Sequence, residues 1–206
     1  MARILVVNGN TSEGVTARIA AAARAAAPSG VEVDVVTAPY GLPLVVTRAD
    51  WLVAGPPMLA HKGSREGTHV AEVIAGETTH AINYSNIPSV TYCHPEVASI
   101  GMTEEQARQA GHDITVGRFP FSANGRARTS GETDGFVKII RDAKYGEILG
   151  AHIVGTHASE IIHELAVARE NEYTVAELDL AVHAHPTLSE AIAEAALDAM
   201  GRVIHA

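Results

Sequence analysis

Two histidines and a glutamate crowd one octapeptide near the end of the sequence, His183-Ala-His185-Pro186-Thr187-Leu188-Ser189-Glu190. An imidazole beside a carboxylate is an acid/base pair. The carboxylate holds one ring nitrogen, fixes the tautomer and raises the basicity of the other nitrogen. Pro186 suits the first position of a helix, where its missing N–H would have no partner anyway. That places His185 at the helix start, with Glu190 about one turn further on and able to fold back toward the ring. Such a dyad has an orienting group and a base and lacks only a nucleophile or a substrate thiol. The competing reading is a capped helix start with an incidental histidine, and local physics leaves both open.

Other chemistry-bearing residues offer less. The sequence has 11 histidines, but beyond His183-x-His185 no third ligand stands at a recurring short spacing, so no metal site is expected. Glu160-x-x-His163 resembles half of a di-iron bundle motif, which would need a second copy and two further glutamate-bearing helices. Cys93 is the sole cysteine, which excludes an intrachain disulfide or a Cys-x-x-Cys redox pair. It falls in the apolar run Val90–Cys93 and is expected to be an inert core thiol. Asn8-Gly9-Asn10-Thr11-Ser12 sets amide and hydroxyl donors at a helix N-terminus, an arrangement that favours an anion.

These residues need elements to position them. Ile4–Val7 reads as a short buried strand, Val15–Ala27 as an Ala-rich helix capped by Thr11 or Ser12, and Val31–Val36 as a half-buried strand. Together they predict a β-α-β unit. Leu59–Ile74 is helical in pattern and stops at Gly76, and a polar linker follows over 77–86. Strands are expected at Val90–Cys93, Ile114–Phe121, Phe136–Arg141 and Ile148–Val154, the last two joined by the turn Asp142–Gly146. Thr103-x-x-Gln106 is a capping-box spacing that opens a short helix ended by Gly111. Helices over Ala158–Asn171 and Pro186–Met200 close the chain. Strands in succession flanked by helices predict an α+β fold, an antiparallel sheet covered on one face and preceded by the short β-α-β unit.

Composition narrows the partners. The net charge of −9, from 24 acidic and 15 basic residues, argues against nucleic acid or an anionic membrane. The one basic run, Arg118–Arg128, is diluted by Phe119, Pro120 and Gly125 and reads as a solvated loop. The apolar run after Met1 is too short for a signal peptide, and no stretch reaches the ~18 apolar residues a membrane helix needs. A cytoplasmic location is the expectation.

The octapeptide resembles the C-terminal signature of dihydrolipoamide dehydrogenases, in the pyridine-nucleotide-disulfide oxidoreductase family. Further segments agree with it in order and spacing: Pro57-Met58-Leu59-Ala60-His61-Lys62 with Glu66-Gly67, Tyr92-Cys-His94-Pro95-Glu96-Val97-Ala98, Phe119-Pro-Phe-Ser-Ala-Asn124-Gly-Arg126-Ala, Gly131-Glu-Thr-Asp-Gly-Phe136-Val-Lys138, Ile148-Leu-Gly150-Ala-His-Ile-Val-Gly155 and Glu160-Ile-Ile-His163-Glu164. The resemblance implies that His185 exchanges a proton with a dithiol substrate, that Glu190 orients it, and that the domain pairs with its symmetry mate so that the histidine serves the other subunit's flavin and disulfide. It also implies FAD contacts from Met58, Leu59 and Ala60, and matches Asp50 to the flavin-binding aspartate, although Ala49 stands where a glycine is usual.

The departures from that family are chemical. No Gly-x-Gly-x-x-Gly turn and no Cys-x4-Cys pair occur, and no NAD domain is present, so hydride transfer through flavin to a disulfide is not expected within these 206 residues. Residues 1–45 instead resemble the opening of the aspartate/glutamate/hydantoin racemases. That resemblance implies substrate-carboxylate binding by Asn8, Asn10, Thr11 and Ser12, without the paired cysteines those enzymes use. The expected organisation is a racemase-like fragment over 1–48, a remnant of a FAD-domain helix and linker over 49–80, and an interface domain over 81–206. The expected function is a dimerisation module carrying the His185–Glu190 dyad, inactive alone and binding no FAD stably. The alternatives are a half-site contributed to a separate FAD-bearing subunit, or a carboxylate-binding protein.

Overall fold

A computed structural model describes residues 2–8, 12–27, 29–37 and 59–205. The chain divides into two units, Met1–Ile82 and Asn83–Ala206.

In the first unit, β1 (Ala2–Asn8) and β2 (Val31–Thr37) pair in parallel, Ala2 opposite Val31 and Asn8 opposite Thr37, and α1 (Glu13–Ala26) connects them. This is the β-α-β unit the sequence predicts. A separate helix, α2 (Ala60–Ala75), ends at Gly76 in the left-handed conformation, with φ 76°, and Glu77 N–H returns to the Glu72 carbonyl. None of its residues is buried. Beyond it, Thr79 Oγ1 donates to Glu72 Oε2 at 3.0 Å and meets His69 Nδ1 at 2.9 Å.

The second unit is an antiparallel sheet in the order β3-β4-β7-β6-β5, from β3 (Ser89–Thr91), β4 (Glu96–Gly101), β5 (Ile114–Pro120), β6 (Phe136–Asp142) and β7 (Ile148–Gly155). With its helices it makes the α+β fold. Alternation along the strands lines two rows of apolar side chains across one face. Ala98, Ile153, Val137 and Phe119 stand side by side in register, and so do Ile100, Ala151 and Ile139. Over these rows lie α5 (Ala158–Glu170), against β4 and β7, and α7 (Glu190–Ala199), against β5 and β6. The helices contribute Ile162, Leu165, Ile192 and Ala195 to the same core. A smaller cluster of Ala107, Ile114, Ile140 and Leu149 sits under α3 (Glu104–Gln109), whose capping box of Thr103 and Gln106 forms as its spacing predicts.

Gly117 settles where α7 lies. A Cβ there would stand 1.9 Å from the Ala195 carbonyl oxygen and 2.4 Å from the Ala199 nitrogen, so the helix backbone rests directly on the strand. At the opposite edge Asn86, buried in a 3-10 turn over Tyr84–Asn86, donates to the Ala166 carbonyl and to Glu170 Oε2. Arg169 bonds Asn86 Oδ1 and the carbonyls of Ser85 and Ile148. The supposed polar linker over 77–86 thus ends in an anchor on α5 and β7.

Several expectations are corrected. β3 stops at Thr91, and Cys93 is exposed beyond it, with Sγ 3.1 Å from the Pro95 carbonyl, so it is not a core thiol. Residues 118–128 are not a solvated loop: Phe119, Phe121 and Ala127 are fully packed, and α4 (Gly125–Ser130) forms there with Asn124 as its cap. Three elements had no periodicity long enough to reveal them: β4, α4 and α6 (Val175–Leu180), the last opened by a Thr174/Glu177 capping box. The final helix begins at Glu190 rather than Pro186, because residues 186–189 spend their groups on a loop.

Replacing Gly117 by alanine forces α7 off β5. It should cost roughly 3 kcal/mol or more of unfolding free energy, seen as a lower urea midpoint at unchanged m-value. A variant as stable as the parent would show that the helix can lift without loss.

A histidine–glutamate dyad as candidate acid/base site

The loop over 181–189 joins α6 to α7 and carries both histidines. It has no regular hydrogen bonding of its own, so its shape depends on side-chain ties. His183 is one: Nε2 lies 2.7 Å from Glu164 Oε1 on α5, and Nδ1 lies 2.9 Å from the Ala181 carbonyl. Both ring nitrogens face acceptors, and only the imidazolium has two N–H groups to offer. The bond to Glu164 raises the pKa of His183 above its ordinary value. Burial opposes this, while the Glu164 charge and the Ala181 carbonyl add to the rise.

His185 is also tied to a glutamate, but through its other ring nitrogen and at a far more exposed position. Its side chain is 77% exposed, and Nδ1 lies 2.8 Å from Glu190 Oε1. The second oxygen of Glu190 accepts the Thr187 N–H at 2.7 Å. Burial pushes the Glu190 carboxyl up, but the Thr187 N–H, the His185 ring and the nearby His183 together outweigh it, and the group titrates below the usual carboxylate range. A carboxylate at Nδ1 calls for the proton on that nitrogen, which leaves the Nε2 lone pair directed to solvent. The arrangement can take a proton from an acid brought up to Nε2 and return it. The dyad geometry expected from the octapeptide is therefore present, although Glu190 is the first helical residue and Pro186 lies outside the helix.

Sequence reasoning missed Asn124. Its carboxamide is 3% exposed, caps α4 by accepting the Ala127 N–H, and donates to the Thr187 carbonyl at 3.0 Å. An Asn-Gly pair signals a helix cap, but a bond to a residue 63 positions away has no local signature. The Glu164–His183 tie was missed for the same reason.

The other expected site residues that the structure describes belong to the first unit. Asn8 is buried at the end of β1, where Nδ2 donates to Thr16 Oγ1 at 2.7 Å and to the Ser12 carbonyl at 3.1 Å, so both amide hydrogens serve the fold. Ser12 sits at the N-cap position of α1, where its carbonyl receives Val15 and Thr16 N–H groups. Leu59 and Ala60 stand at the start of α2. Asn10, Thr11, Asp50 and Met58 lie outside the described residues. Among the described residues no group of three or more His, Cys, Asp or Glu could hold a metal ion, and no helix is long and apolar enough to cross a membrane.

Residues 87–196, just over half of the chain, match the family described as pyridine nucleotide-disulphide oxidoreductase, dimerisation domain. The chain belongs to this family. The dihydrolipoyl dehydrogenase of Zymomonas mobilis is 52% identical over 154 residues, covering 74% of this chain and 33% of that enzyme. That of Rhizobium etli is 51% identical over 155 residues, covering 75% and 32%. The chain thus spans about a third of the length of the curated relatives it matches. Among solved structures, the HOCl-induced flavoprotein disulfide reductase RclA of Escherichia coli, as its Cu(II) complex, superposes with TM-score 0.63 at 29% identity, covering 68% of this chain and 33% of that one. LpdA of Mycobacterium tuberculosis superposes with TM-score 0.65 at 19% identity over 94% of this chain and 56% of that one, a likeness of fold alone. These findings support a dimerisation domain of a dihydrolipoamide-dehydrogenase-like disulfide oxidoreductase and lend no support to the racemase resemblance of residues 1–45.

The family depends on FAD. The sequence has no glycine-rich dinucleotide turn, and α2, at whose start Leu59 and Ala60 stand, leaves all its side chains exposed or half-exposed.

The Glu164–His183 tie yields a pH test. Its folded-state pKa is raised, so its contribution to stability is complete below the unfolded value and is lost as pH rises through the folded value. Unfolding free energies of the parent and of Glu164→Gln should differ most near about pH 6 and draw together by about pH 9. A gap that widens with pH would contradict the ion pair.

Proposed function

We propose that residues 81–206 act as the interface half of a two-subunit acid/base site. The chain pairs with a second copy and offers His185 Nε2 to a dithiol–disulfide centre that its own residues do not supply. The observation that carries this reading is the Glu190-held ring whose other nitrogen points outward at 77% side-chain exposure. When a thiol approaches, Nε2 takes the S–H proton, leaving thiolate and imidazolium, and Glu190 stabilises the imidazolium through Nδ1. Glu164, His183 and Asn124 hold the loop while this happens. Pairing is supported by Leu180 and Val182, exposed 78% and 100% beside the histidines, which a solitary domain leaves in water.

With one cysteine and no flavin-binding turn, residues 1–206 bind no FAD stably and reduce no disulfide unaided in this reading. Residues 49–80 are the remnant of a FAD-domain helix and linker, residues 1–48 form a separate β-α-β fragment, and the location is cytoplasmic. A second reading, in which the chain completes a separate flavin-bearing subunit, follows from the same outward Nε2. The carboxylate-binding reading of Asn8–Ser12 is weakened by the use of Asn8 within the fold.

Light scattering should give twice 21.6 kDa, with no flavin absorbance and no NADH-dependent lipoamide reduction by the chain alone. If a flavin-bearing subunit restores activity, His185→Gln should lower it about 100-fold or more. A yellow protein that reduces lipoamide unaided, or a stable monomer, would overturn the proposal.

A further inference from the structure

The geometry points to Asn124 as a positioning residue that sets the tautomer and aim of His185 through a three-link relay. The first link is Asn124 Nδ2 to the Thr187 carbonyl, at 3.0 Å. The second is the Thr187 N–H to Glu190 Oε2, at 2.7 Å, and the third joins Glu190 Oε1 to His185 Nδ1 at 2.8 Å. Residue 187 is thereby gripped at both its carbonyl and its N–H, which fixes the backbone between the histidine and its carboxylate. Thr187 Oγ1 adds a bond to the Ala184 carbonyl on the other side of the His185 peptide.

Asn124 is well suited to be the fixed end. It is 3% exposed, its backbone N–H bonds the Phe121 carbonyl, and its carbonyl receives the Arg128 N–H. Its carboxamide oxygen is committed to the Ala127 N–H, which orients the amide so that the donor faces Thr187. A buried amide satisfied on both sides has one orientation and transmits it. The neighbouring Gly125 brings α4 against the ring: a Cβ there would lie 3.9 Å from His185 Cε1. An exposed imidazole alone would sample several rotamers, and the relay holds it to one.

The inference rests on the dyad reading above and deepens it. Asn124→Asp keeps the oxygen that caps α4 and replaces the donor to Thr187 by a charged acceptor. Asn124→Ser keeps a shorter cap and cannot reach Thr187. The experiment uses the full chain labelled with 15N-histidine, with the His185 signals assigned through His185→Gln and the ring tautomer read from 15N shifts above the titration range. The wild type should hold the proton on Nδ1. Both Asn124 variants should shift the tautomer ratio toward Nε2–H by about threefold or more, as should Glu190→Gln. A merely structural Asn124 would lower the melting temperature and leave the ratio alone. If Asn124→Asp fails to fold, Asn124→Ser decides the matter. A ratio unchanged in the folded Asn124 variants while Glu190→Gln moves it overturns the relay and spares the dyad. A ratio that Glu190→Gln also leaves unchanged overturns both.

Discussion

A carboxylate has two oxygens, and Glu190 spends one on the Thr187 N–H and the other on the His185 ring. The site depends on that division. One oxygen ties the side chain to the loop backbone, so the other reaches the imidazole from a fixed point. Glu190 can do this because it is the first residue of α7, and α7 cannot shift because its backbone lies on Gly117. A missing methyl group on β5 therefore sets the origin from which the imidazole is aimed. The apolar rows of the sheet, filled by Ile192 and Ala195, keep the helix pressed there.

The two histidines of the loop show how local wiring assigns opposite roles to one side-chain type. His183 is flanked by acceptors at both nitrogens, which favours its charged form, so it anchors. His185 has one acceptor and one open nitrogen, so it can exchange a proton. One residue, Ala184, separates them, and neither role follows from spacing alone. The difference lies in which helix stands behind each ring: α5 supplies Glu164, and α7 supplies Glu190.

Long elements with strong periodicity were legible from sequence: β1, α1, β2, α2, β5, β6, β7 and α5 lie within a few residues of their expected bounds. Capping chemistry was legible too, at Thr103/Gln106 and at Gly76. Short elements were not. β4 sits inside the segment His94–Gly101 and has too few residues to separate alternation from chance, and α6 is a six-residue helix revealed only by its Thr174/Glu177 box. The start of α7 was misplaced because a proline is permitted at a helix start but does not require one. The dyad could be read because His185 and Glu190 are five residues apart. Asn124 and Glu164 could not, because their bonds to the loop span 63 and 19 positions and depend on the finished topology.

Every group that orients His185 comes from the single unit Asn83–Ala206: Asn124 from the start of α4, Glu164 from α5, Thr187 from the loop and Glu190 from α7. The proton-handling element is therefore assembled within one unit from places spread widely along the chain. A change at Glu164, distant from the ring in sequence, therefore reaches the loop that carries the proton acceptor as directly as a change beside it.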